Sequence, residues 1–268
     1  MPTDHYPMNV LVAVKESAVV SDTFEISDGR IPDQSLEYEL NEWDEYALEA
    51  AVQLVEEGSA ESVTTVTIGP PRSEETIRKA LAKGADRAIR IWDPSLENRD
   101  YLDSSAKATL LKAIIDRETP ELVLTGVQSD DDMFGATGVA LAARAGYSWA
   151  AVVNQLSVDE QTISVRRELE GGVEELATIE LPALCTIQTG INEPRYASLR
   201  GIRMAQRTDI EHVDLADIEL DETALNGAVT RVSMDQPVAE STAEIFEGDA
   251  SSTAAQLAAF LRDKGVGS

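Results

Sequence analysis

The sequence predicts an α/β fold, in which a parallel sheet with flanking helices is extended by antiparallel strands and followed by a C-terminal arm. Three observations predict this architecture. As far as Gly146, short apolar runs alternate with amphipathic helical patterns, the order that builds a parallel sheet covered by helices. After Gly146, strand-like runs are separated by turn residues at hairpin spacing. From Asp209 onward the chain is acidic, poor in aromatic residues and without a clear core face.

The parallel half follows from the order of its elements. Residues 10–14 are predicted as a buried strand, followed by a polar stretch through Asp33, and residues 44–57 as an amphipathic helix that ends at Gly58. Residues 63–68 are rich in β-branched side chains, and Ser73 is placed to cap a helix that runs through Lys83. The same alternation predicts a strand at 88–92, a helix at about 104–116, a strand at 122–125 and a helix at about 135–145.

The second half contains four strand-like segments, at 149–156, 162–169, 173–181 and 183–189. Turn residues separate them, so we expect antiparallel strands that extend the same sheet. An alanine-rich amphipathic helix is predicted at 252–264. The predicted organisation is therefore an α/β domain over residues 1–207, which includes a loop at 187–207, and a C-terminal arm over residues 208–268.

The composition is strongly acidic. The 268 residues carry 49 Asp and Glu against 22 Lys and Arg, for a formal net charge of −27, and only six of the basic residues are lysines. Such a surface disfavours nucleic acid, whose phosphates need cations. A halophilic cytoplasm fits best, because high salt screens the repulsion between like charges. The alternative is an ordinary acidic mesophilic protein.

The sequence also disfavours a membrane or secreted protein. No apolar run approaches the ~20 residues of a membrane span, so we expect no membrane insertion. The N-terminus has no basic region followed by an apolar one, as a secretory signal would have. The single cysteine, Cys185, lies in an apolar run and is predicted to be buried. We therefore expect a cytoplasmic location.

Common catalytic motifs are absent. The chain has no G-x-S-x-G elbow, no Walker A loop and no G-x-G-x-x-G fingerprint. His5 and His212 are the only histidines, and they lie far apart in the sequence. We expect neither catalytic residues nor a metal site.

An anion-binding element is predicted after the strand at 122–125. Backbone N–H groups around Gly135 to Gly138, at the start of the next helix, can cradle an anion, and Thr137 can add a hydroxyl. The adjacent carboxylates would repel a phosphate if they pointed inward. The alternative is that Asp131 or Asp132 simply caps the helix.

A second unusual segment is TGINEPRYASLRGIRM, from Thr189 to Met204. It is broken by Gly190 and Pro194, and it begins a block of four arginines with no acidic residue between the first and the last: Arg195, Arg200, Arg203 and Arg207. In so acidic a chain this block indicates a surface that meets a partner. The alternative is a loop whose arginines pair with nearby carboxylates.

Residues 192–199 of that segment, NEPRYASL, resemble the recognition loop of the electron transfer flavoprotein β subunit. Further segments match the family in the same order: LVAVK from Leu11, residues 41–45, GPP from Gly69, KGADRAI from Lys83, LVLTG from Leu122 and ELEGGVEE from Glu168. The similarity covers about residues 9–207. It implies a Rossmann-like, adenine-nucleotide-binding fold and an electron carrier rather than an enzyme.

The resemblance also implies a nucleotide site. The β subunits of this family bind AMP, or a second FAD in electron-bifurcating members. The matching cofactor-binding positions are Ala13, Asn41, Glu42, Trp43, Asp44, Ile68, Gly126, Asp131, Asp132, Gly135, Ala136, Thr137 and Gly138. Main-chain groups at Ala13 and Ile68 would lie beside the adenine, and Trp43 would approach the redox flavin, unless it is a core residue at the start of a helix.

The chain departs from the family at several of these positions. Met133, Gly135, Ala136 and Val139 replace polar residues of the family motif, so contacts to phosphate would come from the backbone. Glu16 and Val20 replace an arginine and an aromatic residue that faces the flavin.

The resemblance finally implies partners. An α subunit would hold the redox FAD in a heterodimer, with the C-terminal arm of this chain wrapped around it. Acyl-CoA or related flavin dehydrogenases would donate electrons, and a membrane quinone reductase would receive them. The implied docking residues are Tyr196, Leu199, Arg195 and Arg200, with Leu199 as an exposed anchor. The alternatives are an electron-bifurcating β subunit and a stand-alone adenine-nucleotide-binding regulatory domain of the universal-stress type.

Overall fold

The computed structural model describes residues 8–21, 24–97, 99, 101–236 and 243–266. The chain divides into two compact units, Met1–Met234 and Asp235–Ser268. The boundary thus lies after residue 234 rather than after residue 207, where the sequence predicts it. The reason is that residues 208–234 belong to the core of the first unit.

Eleven strands lie within the described residues: β1 (Asn9–Ala13), β2 (Glu16–Val20), β3 (Leu36–Leu40), β4 (Ser62–Ile68), β5 (Arg87–Ile91), β6 (Leu122–Gly126), β7 (Ser148–Asp159), β8 (Thr162–Glu168), β9 (Glu174–Glu180), β10 (Ala183–Ile187) and β11 (Ile210–Val213). The helices there are α1 (Glu42–Glu56), α2 (Glu74–Ala82), α3 (Ser104–Glu118), α4 (Thr137–Ala145), α5 (Leu199–Ala205) and α6 (Ala250–Asp263). None of these helices is long and apolar enough to cross a membrane.

Nine strands form one sheet in the order β11-β5-β4-β1-β6-β10-β7-β8-β9, which confirms the predicted α/β fold. The pairs from β11 to β7 are parallel. Side chains of adjacent residues in a strand point to opposite faces. In β1, Val10 and Val12 therefore pack into the cluster that contains α1 and α2, while Leu11 packs into the cluster that contains α3 and α4.

The antiparallel extension is smaller than the sequence predicts. β7, β8 and β9 pair antiparallel. The segment at 183–189, however, forms β10, which is parallel to both of its neighbours, β6 and β7. All five residues of β10 are buried, as are all five of β6. This continuous apolar pattern is typical of a central parallel strand covered on both faces.

The polar stretch after β1 contains two paired strands that were not predicted from the sequence. β2 and β3 pair antiparallel as a separate two-stranded sheet. The signal is present in β3, where Leu36, Tyr38 and Leu40 alternate with the exposed Glu37 and Glu39. Period two indicates a strand even in an acidic segment.

Two local predictions are wrong, the cap at Ser73 and the loop over residues 199–205. Ser73 precedes α2 but makes no side-chain capping bond, because its hydroxyl donates to the carbonyl of Pro70 at 2.8 Å. Residues 199–205, predicted as irregular, form α5, which Ser198 caps by accepting a hydrogen bond from the Gly201 amide.

The first part of the predicted arm forms strand β11, Ile210–Val213. β11 pairs parallel with β5. Ile210, Val213, Leu215, Ile218 and Leu225 are all buried. This packing explains why residues 208–234 belong to the first unit.

The second unit contains the predicted C-terminal helix, as α6. No described residue of α6 is buried. Phe260 meets Phe246 edge-on, with ring centroids 5.8 Å apart.

Truncation should show that residues 208–234 contribute to the stability of the first unit and that residues 235–268 do not. Removal of residues 208–268 takes away five buried side chains, each worth about 1.5–3 kcal/mol, and leaves β5 without its outer neighbour. We expect this variant to unfold, whereas truncation after Met234 should keep a cooperative thermal transition. Circular dichroism melting of both variants is the measurement. Equal melting temperatures would contradict the placement of β11.

Candidate functional site

A cavity of about 1120 Å³ opens where β1, β4 and β6 end. In the sheet, β1 lies between β4 and β6, so the chain order reverses here, and ligands of open α/β sheets bind at such a point. Eleven of the predicted cofactor positions line it: Ala13, Asn41, Asp44, Ile68, Gly126, Asp131, Asp132, Gly135, Ala136, Thr137 and Gly138. Glu42 and Trp43 do not.

The start of α1 joins the ends of two strands through Asp44. Its carboxylate accepts hydrogen bonds from the backbone amide of Lys15 at 2.8 Å and from that of Gly126 at 2.9 Å. Asn41 continues the contact, since its amide nitrogen donates to the Gln128 carbonyl at 2.9 Å and its oxygen accepts from the Asp130 amide at 3.2 Å. These bonds place the loop after β6 at the mouth of the cavity.

Gly126 permits this close approach. A Cβ atom there would lie 2.5 Å from the Cβ of Trp43 and 2.6 Å from a carboxylate oxygen of Asp44. Any side chain would therefore push the start of α1 away from β6. Burial raises the pKa of Asp44 to about 6, although the amides that donate to its carboxylate favour the charged form.

Trp43 and Glu42 do not line this cavity. Trp43 is half-buried, and its indole N–H donates to the side-chain oxygen of Gln188 at 3.3 Å, just after β10. Glu42 is exposed, and only its backbone amide approaches the loop, 3.5 Å from Asp130. A cofactor in the cavity would not touch either side chain, and the approach of Trp43 to a flavin stays a prediction.

The carboxylates beyond β6 are neutralised by two lysines. The Lys15 ammonium pairs with Asp131 and lies 3.1 Å from Asp132, and the Lys107 ammonium lies 2.5 Å from Asp132. Burial alone would raise the pKa values of both carboxyl groups, but the lysines outweigh it and hold them below the usual range. Repulsion of a bound phosphate is thereby reduced.

These ion pairs also bear on the alternative that Asp131 or Asp132 caps α4. The residue before α4 is Ala136, and no side chain caps the helix there. Asp131 and Asp132 instead bind the two lysines and the Ser129 hydroxyl. Capping of α4 by either carboxylate is therefore wrong.

The start of α4 offers backbone donors to the cavity. The first amides of a helix have no intrahelical acceptor, and those of residues 135–138 donate to no other group among the described residues. Gly135 has φ of +62°, and a Cβ atom there would lie 3.7 Å from the Val127 carbonyl oxygen, an ordinary contact. The Thr137 hydroxyl donates to Ser104 at 3.2 Å, so the amides rather than this hydroxyl are the free donors.

Gly138 lets α4 sit close to the sheet. A Cβ atom there would lie 2.5 Å from the methyl group of Thr186 and 2.6 Å from the hydroxyl of Thr125. Together, the α4 amides and the apolar wall at Ala13, Val66 and Ile68 suit a ligand with an anionic end and a flat apolar end.

The segment after β10, residues 188–207, is fixed to α1 and α2. Arg195 pairs with the buried Glu49 at 2.8 Å and with Glu56 at 2.7 Å, and these bonds raise its pKa. Lys83 donates to the Arg195 carbonyl at 2.9 Å, and Asn192 donates to the Tyr46 carbonyl at 3.0 Å. The guanidinium of Arg195 is thus used internally, as the alternative of arginines paired with nearby carboxylates predicts, and a docking role for Arg195 stays a prediction.

The same attachment leaves one surface exposed. Tyr196 is 97% exposed and Leu199, the first residue of α5, is 78% exposed. Arg200, Arg203 and Arg207 are exposed and form no ion pair with a described residue. An apolar anchor surrounded by unpaired arginines suits docking to an acidic partner.

Several functional residues were not found from the sequence. The pattern places Lys15 directly after β1, at the edge where a ligand site is expected, and this is a usable signal. Lys107 lies in the predicted helix at 104–116, where a lysine is ordinary. Glu49 resembles any polar residue of an amphipathic helix, although it is the buried partner of Arg195.

The known proteins that this chain resembles come from one family. A model of the electron transfer flavoprotein domain matches residues 28–218. The electron transfer flavoprotein subunit beta of Methylophilus methylotrophus is 40% identical over 264 residues, covering 96% of this chain and 98% of the relative. The subunit beta of Bacillus subtilis is 31% identical over 258 residues, covering 96% and 98%, and that of Bos taurus is 33% identical over 225 residues, covering 84% of each.

The chain belongs to the electron transfer flavoprotein family, as a β subunit. An electron transfer flavoprotein β subunit is an electron-carrier subunit and not an enzyme.

The raised pKa of Asp44 predicts a pH dependence of stability. The native state holds this proton up to about pH 6, whereas the unfolded chain releases it near pH 3.8. The stabilisation is fully present below pH 3.8 and is lost as the pH rises through 6. The stability of the wild type relative to Asp44→Asn should therefore fall by about 2 kcal/mol between pH 4 and 7. Denaturant unfolding at constant salt measures it, and a constant difference would show that Asp44 is ionised throughout.

Proposed function

We propose that this β subunit forms a heterodimer with an α subunit that holds the redox FAD. The heterodimer accepts electrons from acyl-CoA or related flavin dehydrogenases and passes them to a membrane quinone reductase. The location is the cytoplasm, and the net charge of −27 favours a saline one. The observation that carries the proposal is the exposed Leu199 on a segment held by the ion pairs of Arg195 with the buried Glu49 and the exposed Glu56.

The ligand of the cavity is AMP in this proposal. The amides of residues 135–138 bind the phosphate, since a helix N-terminus favours an anion. Ala13 and Ile68 line the same cavity and contact the adenine, which requires only main-chain and apolar groups. The ion pairs of Lys15 and Lys107 support this site because they reduce the repulsion from Asp131 and Asp132.

The FAD of the α subunit supplies the electron-transfer chemistry, and the residues of this chain position partners. Glu49 and Glu56 hold Arg195, and Lys83 holds its carbonyl, so the backbone before α5 is ordered before any partner arrives. Preorganisation of this kind reduces the entropy lost on binding. Leu199 then enters an apolar pocket of the dehydrogenase, and the exposed arginines accelerate the encounter.

An electron-bifurcating β subunit, with FAD in the cavity, is the second candidate. The observation that favours it is the volume of about 1120 Å³, slightly above the roughly 300–1,000 Å³ usual for small-molecule sites. A stand-alone regulatory domain has no such support, because the relatives are subunits of electron transfer flavoproteins along nearly their full length.

Nucleotide extraction separates AMP from a second FAD. The purified heterodimer is denatured, and its nucleotides are separated by chromatography and counted per dimer. We expect one AMP and one FAD. Two FAD and no AMP would replace the proposal with the bifurcating alternative, and a dimer without any nucleotide beyond one FAD would refute the cavity as a nucleotide site.

Docking is tested with Leu199→Ala. Loss of an anchor side chain typically costs about 2 kcal/mol or more, so the KM for the flavoprotein in dehydrogenase assays should rise by roughly 30-fold. Flavin content and melting temperature should not change, because Leu199 is 78% exposed.

Leu176→Ala is the matched control, since Leu176 is 80% exposed but lies on β9. It should leave the KM unchanged. Arg200→Gln should change mainly the association rate and its salt dependence. A normal KM for Leu199→Ala together with a large drop in melting temperature would refute the docking role.

A further inference from the structure

A segment after the last core strand forms part of the cavity wall. Val229, Arg231 and Met234 line the same cavity as the amides of α4, although they lie about a hundred residues further along the chain. We call residues 227–234 the strap. The strap belongs to the first compact unit, so its position against the cavity is set within one packed body.

Asp103 ties the strap to α3. One carboxylate oxygen accepts from the Ala106 amide at 2.8 Å and so caps α3, while the other accepts from the amides of Ala228 at 2.6 Å and Val229 at 2.9 Å. Burial alone would raise the pKa of Asp103, but these amide donors outweigh it and lower the pKa, so the carboxylate stays charged. A single buried anion therefore fixes both the helix and the strap.

Residues just before Ala228 also pack closely against α3 and the segment that precedes it. A Cβ atom on Gly227 would lie 2.8–2.9 Å from the carboxyl atoms of Asp103, so a larger residue there would displace the carboxylate that holds the strap. Just before it, the carbonyls of Glu222 and Leu225 accept from the Arg99 guanidinium at 2.6 and 2.9 Å. The strap is thus held at its start, next to the cavity rim.

Most cations that line the cavity are already engaged. Lys15 and Lys107 pair with aspartates, Arg72 pairs with Glu16 at 3.0 Å, and Arg99 donates to backbone carbonyls. Arg231 differs from these four. Its side chain is half-buried at the cavity, and it forms no ion pair or hydrogen bond with any described residue.

A guanidinium in this position implies an anionic ligand. In a chain of net charge −27, carboxylates are abundant, so a cavity-lining arginine that pairs with none of those in the described residues suggests that its guanidinium is kept for a ligand. The α4 amides offer donors to an anion from the other wall. Arginine binds phosphate through two parallel N–H groups, which suits the two or three exposed oxygens of a nucleotide phosphate.

We propose that Arg231, carried by the strap, binds the phosphate of the nucleotide opposite the amides of α4. This inference rests on the proposed nucleotide function of the cavity and adds a residue that binds from the C-terminal side of the chain. The strap acts as a positioning element, because Asp103 holds the backbone from which Arg231 reaches the cavity.

The test compares AMP with adenosine on the full chain purified with its α subunit and depleted of AMP. Calorimetry at fixed salt gives both dissociation constants for the wild type, Arg231→Gln and Arg231→Lys. Loss of a charged hydrogen bond to phosphate should weaken AMP binding by about 10-fold or more in Arg231→Gln. Arg231→Lys should recover part of this loss, and adenosine, which lacks the phosphate, should bind all three within about 2-fold.

Arg166→Gln is the control, because it removes the same charge from β8, outside the cavity. It should bind AMP as the wild type does. Unchanged AMP binding in Arg231→Gln, or equal weakening of AMP and adenosine, would overturn the inference and leave the nucleotide site intact. A wild-type protein that binds neither compound would overturn the nucleotide function together with the inference.

Discussion

The site depends on one buried carboxylate, that of Asp44, which connects a helix to two strands. By accepting the backbone amides of Lys15 and Gly126, it fixes the start of α1 against the ends of β1 and β6. The same helix carries Glu49 and Glu56, which hold Arg195 and so the segment that presents Leu199. The cavity and the proposed docking surface are therefore both attached to one helix, α1.

Charge pairing makes an acidic chain compatible with an anionic ligand. Inside the cavity, Asp131 and Asp132 are matched by Lys15 and Lys107, so the carboxylates order the loop without leaving uncompensated negative charge. Partly buried pairs of this kind are screened by salt much less than surface pairs. These lysine–aspartate pairs should therefore persist over a wide range of salt concentration. The attraction of the exposed arginines of α5 for an acidic partner should instead weaken as the salt concentration rises.

How much the sequence can predict differs between elements. Strands such as β6 and helices such as α1 are predictable because their apolar periods are strong, and the backbone cradle at residues 135–138 follows from its place after a buried strand. β11 is not predictable in this way, since it has only four residues, two of them exposed. The pairing of Lys107 with Asp132 and of Arg195 with Glu49 depends on tertiary contacts between distant segments, which no local pattern encodes.

The most direct measurement is an experimental structure of the heterodimer at a resolution that shows bound nucleotide. We expect an adenine nucleotide in the cavity between β1, β4 and β6. Its phosphate should lie within hydrogen-bonding distance of the amides of residues 135–138, and its adenine should lie beside Ala13 and Ile68. A nucleotide bound elsewhere on this chain, or a cavity filled by side chains of the partner subunit, would contradict the account.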